Sequence, residues 1–278
     1  MPGIDLHAHS TRSDGTFPPA DLVRLAAARG LDLVALTDHD TTDGLEEASA
    51  TAAEAGIGFV PGVEFSATYE GSSIHVLGYW IDPSHEALAA ELQRLREDRF
   101  HRGERMVEKL RALGYPISFE RVQEIAGTGN IVRPHVAQAL VEAGVVPTEE
   151  DAYTEDLIAD GGRADVQKHA LHPLDALALI RSAGGACVLA HPAMWSGQRS
   201  VPEDLIEAMA EAGMAGLEAD HPDHAAEQSA HYREVAARLG LVATGASDFH
   251  GRPGEPITLG TVTTDPDAFG RLKATAGR

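Results

Sequence analysis

The amino-acid sequence predicts an α/β fold: a parallel sheet or barrel of repeated strand–helix units, broken by one helical insertion. Three observations predict it. Short apolar runs alternate with helix-periodic stretches in both the first and last thirds of the chain, the arrangement that builds parallel sheets. Between them lies a long, charged stretch with no strand pattern. Histidine and carboxylate residues follow the apolar runs, at the strand ends where α/β barrels place catalytic groups.

Taken in order, residues 4–9 form a short strand, followed by a Gly/Pro-containing turn and a helix over about 18–29. Residues 31–36 are an apolar strand, and Asp43 is placed to cap a helix reaching Ala55. Strand-like segments follow at 58–63 and 74–80. The texture changes at about residue 84. Residues 86–113 are helix-periodic, with Leu92, Leu95, Met106, Val107 and Leu110 at apolar positions, and shorter helices are expected around 118–126, 134–143 and 148–159. The strand–helix pattern resumes with a helix at 173–183 ended by Gly184-Gly185, then a strand at 186–190 and a helix at 202–212. A strand at 214–219, a helix at 223–239 and a strand at 241–245 follow, with one more possible strand at 258–263. The expected organisation is a barrel domain of residues 1–83 and 166–278, with 84–165 as a helical insertion capping the active site.

The chain has 278 residues, 43% of them hydrophobic, so it can bury a substantial core and is not globally disordered. Its single cysteine, Cys187, cannot form an internal disulfide and sits in an apolar strand pattern. No apolar run approaches membrane-spanning length, and no basic segment or apolar signal core opens the sequence, so the expected compartment is the cytoplasm with no membrane partner. A formal charge of −21 argues against long nucleic acid as a partner. It does not exclude a small nucleotide, because a buried metal cluster reverses the field locally. The anomaly is the 14 histidines.

Residues two apart on a strand share a face, so His7 and His9 project together. An isolated His-x-His is more often a surface pair than a ligand pair. Here the pattern recurs: Asp38-His39-Asp40 after the second strand, Glu64 in the third, His75 in the fourth, His191-Pro192 after the fifth, and Asp248-Phe249-His250 after the seventh. Imidazole with carboxylate and no thiolate suits Mn²⁺, Fe²⁺ or Zn²⁺. So many candidate ligands exceed the three or four that one catalytic ion needs, and favour two or three divalent ions with Glu64 as a bridge. Asp38 and Asp40 read as orienters of imidazoles. No Gly-rich Walker loop and no Gly-x-Ser-x-Gly elbow offers another route to catalysis.

With Asp14 from Ser13-Asp14-Gly15, this order of motifs resembles the polymerase-and-histidinol-phosphatase (PHP) superfamily over nearly the whole chain. The insertion and Arg133-Pro134-His135 make it most similar to the branch of 3′,5′-nucleotide bisphosphate phosphatases and 5′→3′ exoribonucleases. The resemblance implies a distorted (β/α)₇ barrel and a trinuclear, manganese-favouring site. His7, His9, Glu64 and Asp248 would hold one ion; Glu64, His75 and His191 a second; Asp14, His39 and His250 a third. Three divalent ions against these three carboxylates leave a local charge of about +3, enough to attract a phosphate monoester. The implied reaction is attack on phosphorus by a metal-bound hydroxide, with no protein nucleophile.

Substrate contacts are expected from Arg133 and His135 at a helix start, from Arg163 and Lys168 with His169 in the return from the insertion, and from His224. This return reads Asp165-Val166-Gln167, whereas the related enzymes usually have a Tyr-Val-Pro-like segment there. His221 or His224 is the candidate leaving-group acid, and Trp195 a candidate stacking surface for a base. The expected activity is hydrolysis of a small nucleotide such as a 3′,5′-bisphosphate, or of short 5′-phosphorylated RNA. Alternatives are a phosphatase of another small monoester such as histidinol phosphate, amide or ring hydrolysis, and a non-catalytic, metal-stabilised regulatory module.

Overall fold

Seven strands form one sheet in sequence order: β1 Gly3–Asp5, β2 Leu31–Leu36, β3 Gly58–Tyr69, β4 Ser72–Tyr79, β5 Ala186–Leu189, β6 Gly216–Asp220 and β7 Val242–Gly245. The computed structural model describes residues 3–127, 131–166, 171–194, 200–254 and 256–277. Among these, the helices are α1 Pro19–Ala28, α2 Leu45–Ala55, α3 Glu86–Ala112, α4 Phe119–Ala126, α5 Arg133–Glu142, α6 Pro173–Ser182, α7 Glu203–Glu211, α8 Ala226–Leu239 and α9 Pro266–Lys273. The β1–β2–β3 and β5–β6–β7 ladders are parallel, as expected of strand–helix repeats.

β4 departs from that scheme. It pairs antiparallel with both β3 and β5. The cause lies in Glu70 and Gly71, the two residues between paired Tyr69 and Ser72, which both adopt positive φ (47° and 80°). A two-residue turn with both central φ angles positive closes a hairpin, whereas a parallel crossover needs a dozen or more residues. The third strand therefore continues well past residue 63, and Glu64 lies inside it rather than at its end.

Three further expectations are corrected. Residues 148–159 do not form a helix: a single 3₁₀ turn spans Glu150–Ala152, and the Thr154 carbonyl accepts the Leu157 and Ala159 amides in a chain of turns. Residues 258–263 are not a strand, because the Thr261 amide bonds back to the Thr258 carbonyl and Gly260 sits at φ 79°. After them comes α9, unanticipated, whose N-terminus is capped by the Asp265 carboxylate. Asp43 does not cap α2: Gly44 holds that position, and the Asp43 amide bonds to Thr41 Oγ1.

The chain divides into two compact units, Met1–Ala90 with Ala170–Arg278, and Glu91–His169. In the first, Leu6, Ala35, Val60, Leu77, Val188 and Ala246 form one apolar cluster from the sheet, and α1 and α2 pack over Val34 and Leu36 in another. In the second, Met106 and Leu110 of α3 pack with Val136 and Leu140 of α5 and with Leu157 and Ile158. Each fully buried aliphatic side chain contributes about 1.5–3 kcal/mol relative to exposure. Of the described residues, no helix is long and apolar enough to cross a membrane.

Candidate metal centre

Glu64 is the hub. Its β3 position faces His75 diagonally across the hairpin, since Glu64 opposes Leu77 and Ser66 opposes His75. Oε1 lies 2.9 Å from His75 Nδ1 and 3.2 Å from His191 Nε2, and those two nitrogens are 3.3 Å apart. Oε2 lies 3.2 Å from Nε2 of both His7 and His9, and 3.1 Å from His39 Nδ1. Asp248 completes the first group, its Oδ1 3.2 Å from His7 Nε2 and 3.1 Å from His9 Nε2. On the far side of His9, Asp14 Oδ1 stands 3.3 Å from His250 Nε2 and 4.0 Å from His39 Nε2. All nine expected ligands are thus brought together.

Three overlapping groups have donors within ligand reach of one another: His7, His9, Glu64 and Asp248; His9, Asp14, His39 and His250; and His39, Glu64 and His75. His9 and His39 each belong to two, a sharing that the sequence does not reveal. The donor atoms suit a cation. His7 Nε2, His9 Nε2, Glu64 Oε2 and Asp248 Oδ1 are buried and make no hydrogen bond, although a buried polar atom ordinarily must. Their imidazole–carboxylate spacings match the edge of a tetrahedron with bonds of roughly 2.0 Å to a central ion.

Electrostatics point the same way. Burial disfavours charge on Asp14, Glu64 and Asp248, yet the surrounding imidazoles hold all three carboxyls well below their usual range. Burial likewise opposes protonation of His9, but Asp248 and Glu64 outweigh it and raise the ring to about 10. His39 goes the other way, down to about 3, because burial dominates and His9 and His75 add repulsion. Without a cation, the pocket balances its carboxylates with protons; a divalent ion replaces those protons with fixed charge.

The groups behind the donors decide which ring nitrogen is available. His250 Nδ1–H donates to the Asp248 carbonyl (2.9 Å), leaving Nε2 toward Asp14. Asp38 accepts the Ser10 amide, the Ser10 hydroxyl and the Ser13 hydroxyl at 2.6–2.7 Å, so it organises the loop carrying Asp14 and reaches an imidazole only through the Ser13 oxygen, 3.5 Å from His9 Nδ1. Asp40 accepts the Ser66 amide. Backbone strain gathers here: Asp40, His191 and Asp248 have φ of 50°, 23° and 50°, which side-chain-bearing residues adopt rarely and mostly at functional sites.

Two contributors escape sequence reasoning. Glu218, fully buried in β6, places Oε1 3.2 Å from His7 Nδ1 and accepts the His191 amide on Oε2 at 2.9 Å. Arg252 reaches Asp14 Oδ2 at 3.1 Å. The only sequence signal for either is a charged residue in or just after a strand ending on this face.

The expected substrate groups are distributed differently. His221 Nε2 lies 3.4 Å from Asp248 Oδ2, while His224 donates Nδ1–H to the Ala219 carbonyl. Helix α8 starts at Ala226, so Asp223 does not cap it; the Asp223 amide instead donates to His221 Nδ1. Arg133, His135 and Arg163 belong to the other unit. There Arg133 pairs with Asp160 at 2.6 Å, His135 Nδ1 accepts the Val132 amide at the start of α5, and Arg163 is exposed. Lys168, His169 and Trp195 lie outside the described residues.

Residues 5–115 match the PHP domain. Over 257 residues the chain is 38% identical to a 3′,5′-nucleoside bisphosphate phosphatase of Chromobacterium violaceum, covering 92% of this chain and 89% of that protein. It is 33% identical over 246 residues to a 5′-3′ exoribonuclease of Haemophilus influenzae, covering 88% of this chain and 89% of the relative. The fold is similar to the crystal structure of a Bifidobacterium adolescentis protein assigned as a metal-dependent phosphoesterase. The TM-score is 0.91 at 35% identity, with 99% of this chain and 96% of that one covered.

Proposed function

The chain belongs to the PHP domain family and is a metal-dependent phosphoesterase, and on that premise we propose that it hydrolyses phosphate esters of small nucleotides. A 3′,5′-nucleotide bisphosphate or short 5′-phosphorylated RNA is the substrate that its relatives' activities favour. The observation that carries the reading is the convergence of buried, unbonded donor atoms of His7, His9 and Asp248 on Glu64.

His7, His9, Glu64 and Asp248 would hold one divalent ion, Glu64, His75 and His191 a second, and Asp14, His39 and His250 a third, with manganese the first candidate. Bound ions supply Lewis acidity, a lowered pKa for water, and a clamp on the attacking and leaving oxygens. The chain's own residues do the rest. Carboxylates Glu64, Asp14 and Asp248 fix the spacing, His221 is the proposed proton donor to the leaving oxygen, and Arg133 the proposed grip on a second phosphate. The sheet closes in this reading as a distorted barrel, supported by the parallel bridge between Ala8 and Phe249. Residues 84–165 are in this reading a helical insertion in the barrel, supported by the separate compact unit that Glu91–His169 forms.

The test is a phosphate-release screen with Mn²⁺ over nucleotide 3′,5′-bisphosphates, mononucleotides, histidinol phosphate and short RNAs. Highest kcat/KM is expected on the bisphosphates or the 5′-phosphorylated RNAs. Activity confined to non-nucleotide monoesters would overturn the substrate class.

A further inference from the structure

Strand β6 contributes none of the nine proposed ligands, yet it places a carboxylate directly behind two of them. Glu218 is 1% exposed, flanked by apolar Leu217 and Ala219. Isolated burial of such a charge is costly, so its partners must account for it. There are two, one per oxygen: the His7 ring nitrogen Nδ1 at 3.2 Å and the His191 backbone N–H at 2.9 Å. His191 is the residue held at φ 23°, and its own Nε2 faces Glu64.

Resting on the metal-centre reading above, we propose that Glu218 is a positioning residue that sets two ligands at once. By accepting at Oε1 it keeps the proton of neutral His7 on Nδ1, which leaves the Nε2 lone pair directed at Glu64 and Asp248. By accepting at Oε2 it fixes the strained backbone from which His191 projects. A carboxylate does this because both oxygens accept. A glutamine of the same shape has one acceptor and one donor. If its NH₂ faces His7, the ring must take the other tautomer and its Nε2 is protonated, unable to bind a cation. If its NH₂ faces His191, two N–H groups confront each other and the strained turn loses its restraint.

A merely structural role predicts something different. Replacing one member of a buried charged pair by a neutral isostere would then weaken folding and leave metal binding by the folded protein unchanged. A positioning role leaves the metal-free fold and weakens the metal.

The experiment compares the full-length wild type with Glu218→Gln and Glu218→Asp, each stripped of metal. Mn²⁺ is titrated in competition with a chromophoric chelator, and metal-free thermal melting is followed by circular dichroism. Groups behind metal ligands typically govern affinity by roughly 10–100-fold. Glu218→Gln is expected to bind Mn²⁺ weaker by that factor with its metal-free melting temperature kept, and Glu218→Asp, which retains two acceptors, to recover part of the affinity. Wild-type affinity in Glu218→Gln would overturn the proposal. If Glu218→Gln does not fold, Glu218→Asp decides: weakened metal binding with unchanged melting supports positioning, and unchanged binding overturns it. A wild type that takes up no metal would instead overturn the metal-centre reading itself.

Discussion

At the scale of single residues, the question is which side chain near Asp248 has a proton to give. His221 Nδ1 accepts the Asp223 amide at 3.1 Å, so the neutral ring carries its proton on Nε2, which faces Asp248 Oδ2. His224 is the reverse. Its proton is on Nδ1, donated to the Ala219 carbonyl, and burial pulls its pKa down, so Nε2 is an acceptor at neutral pH. His221 is therefore the better candidate for the leaving-group acid. General acid catalysis contributes roughly 10²–10⁴-fold and matters most when the leaving oxygen is basic. His221→Ala should lose about that factor on nucleotide phosphates while largely sparing an aryl phosphate with an acidic phenol. Equal losses on both substrates would mean that His221 acts only by orienting Asp248. Eight of the nine ligand candidates were legible in the sequence because each follows, or lies within, an apolar strand run; Asp14, in a turn, was legible only through the order of the family's motifs. Glu218 and Arg252 were not, because the meaning of each lies in a partner more than 200 positions away, His7 and Asp14 respectively, which local patterning does not record.

At the scale of elements, β1 and the segment after β7 meet through one carboxylate. Asp5 is fully buried and accepts the Ser247 hydroxyl at 2.6 Å, the Ser247 amide at 3.0 Å and the Gly260 amide at 2.8 Å. Burial raises its pKa, and these bonds, Ser247's first, together with a longer one from the His7 amide, pull against the rise. Ser247 immediately precedes Asp248, so Asp5, at the end of β1, ties the segment that carries His7 to the loop that carries its carboxylate partner. Removing the acceptor leaves several donors buried and unsatisfied, at about 1–3 kcal/mol each. Asp5→Ala should lower unfolding free energy in urea by at least about 2 kcal/mol. A variant as stable as wild type would show that the first and last strands are joined adequately without it. The elements most visible in sequence were the parallel strand–helix repeats, whose period and caps are local. The β3–β4 hairpin was missed because its signal is two residues, Glu70 and Gly71, and α9 because its 8 residues are too few for a helical period to stand out.

At the scale of the molecule, a chain of net charge −21 must attract a substrate that is itself an anion. Three divalent ions would give the pocket a local surplus of about +3 against Asp14, Glu64 and Asp248, and counting Glu218 and Arg252 together leaves it at about +3. That still suffices for one phosphate; a second needs its own cation. In the helical unit, Arg133 is only 19% exposed and already paired with Asp160, whose carboxylate is 76% exposed and easily displaced toward solvent. Exchanging that carboxylate for a phosphate keeps the guanidinium hydrogen-bonded throughout, and a planar fork suits a phosphate oxygen pair. A hydrogen bond to a charged group contributes about 1.5–3 kcal/mol, equivalent to roughly 10–100-fold in kcat/KM. Arg133→Ala should therefore lower kcat/KM for a 3′,5′-bisphosphate by that factor and leave a nucleoside monophosphate nearly unchanged. Because Arg133 lies in a different unit from the nine ligands, metal content should stay at the wild-type level, which separates loss of substrate grip from damage to the centre. An unchanged preference for bisphosphate over monophosphate would overturn Arg133 as the grip on a second phosphate.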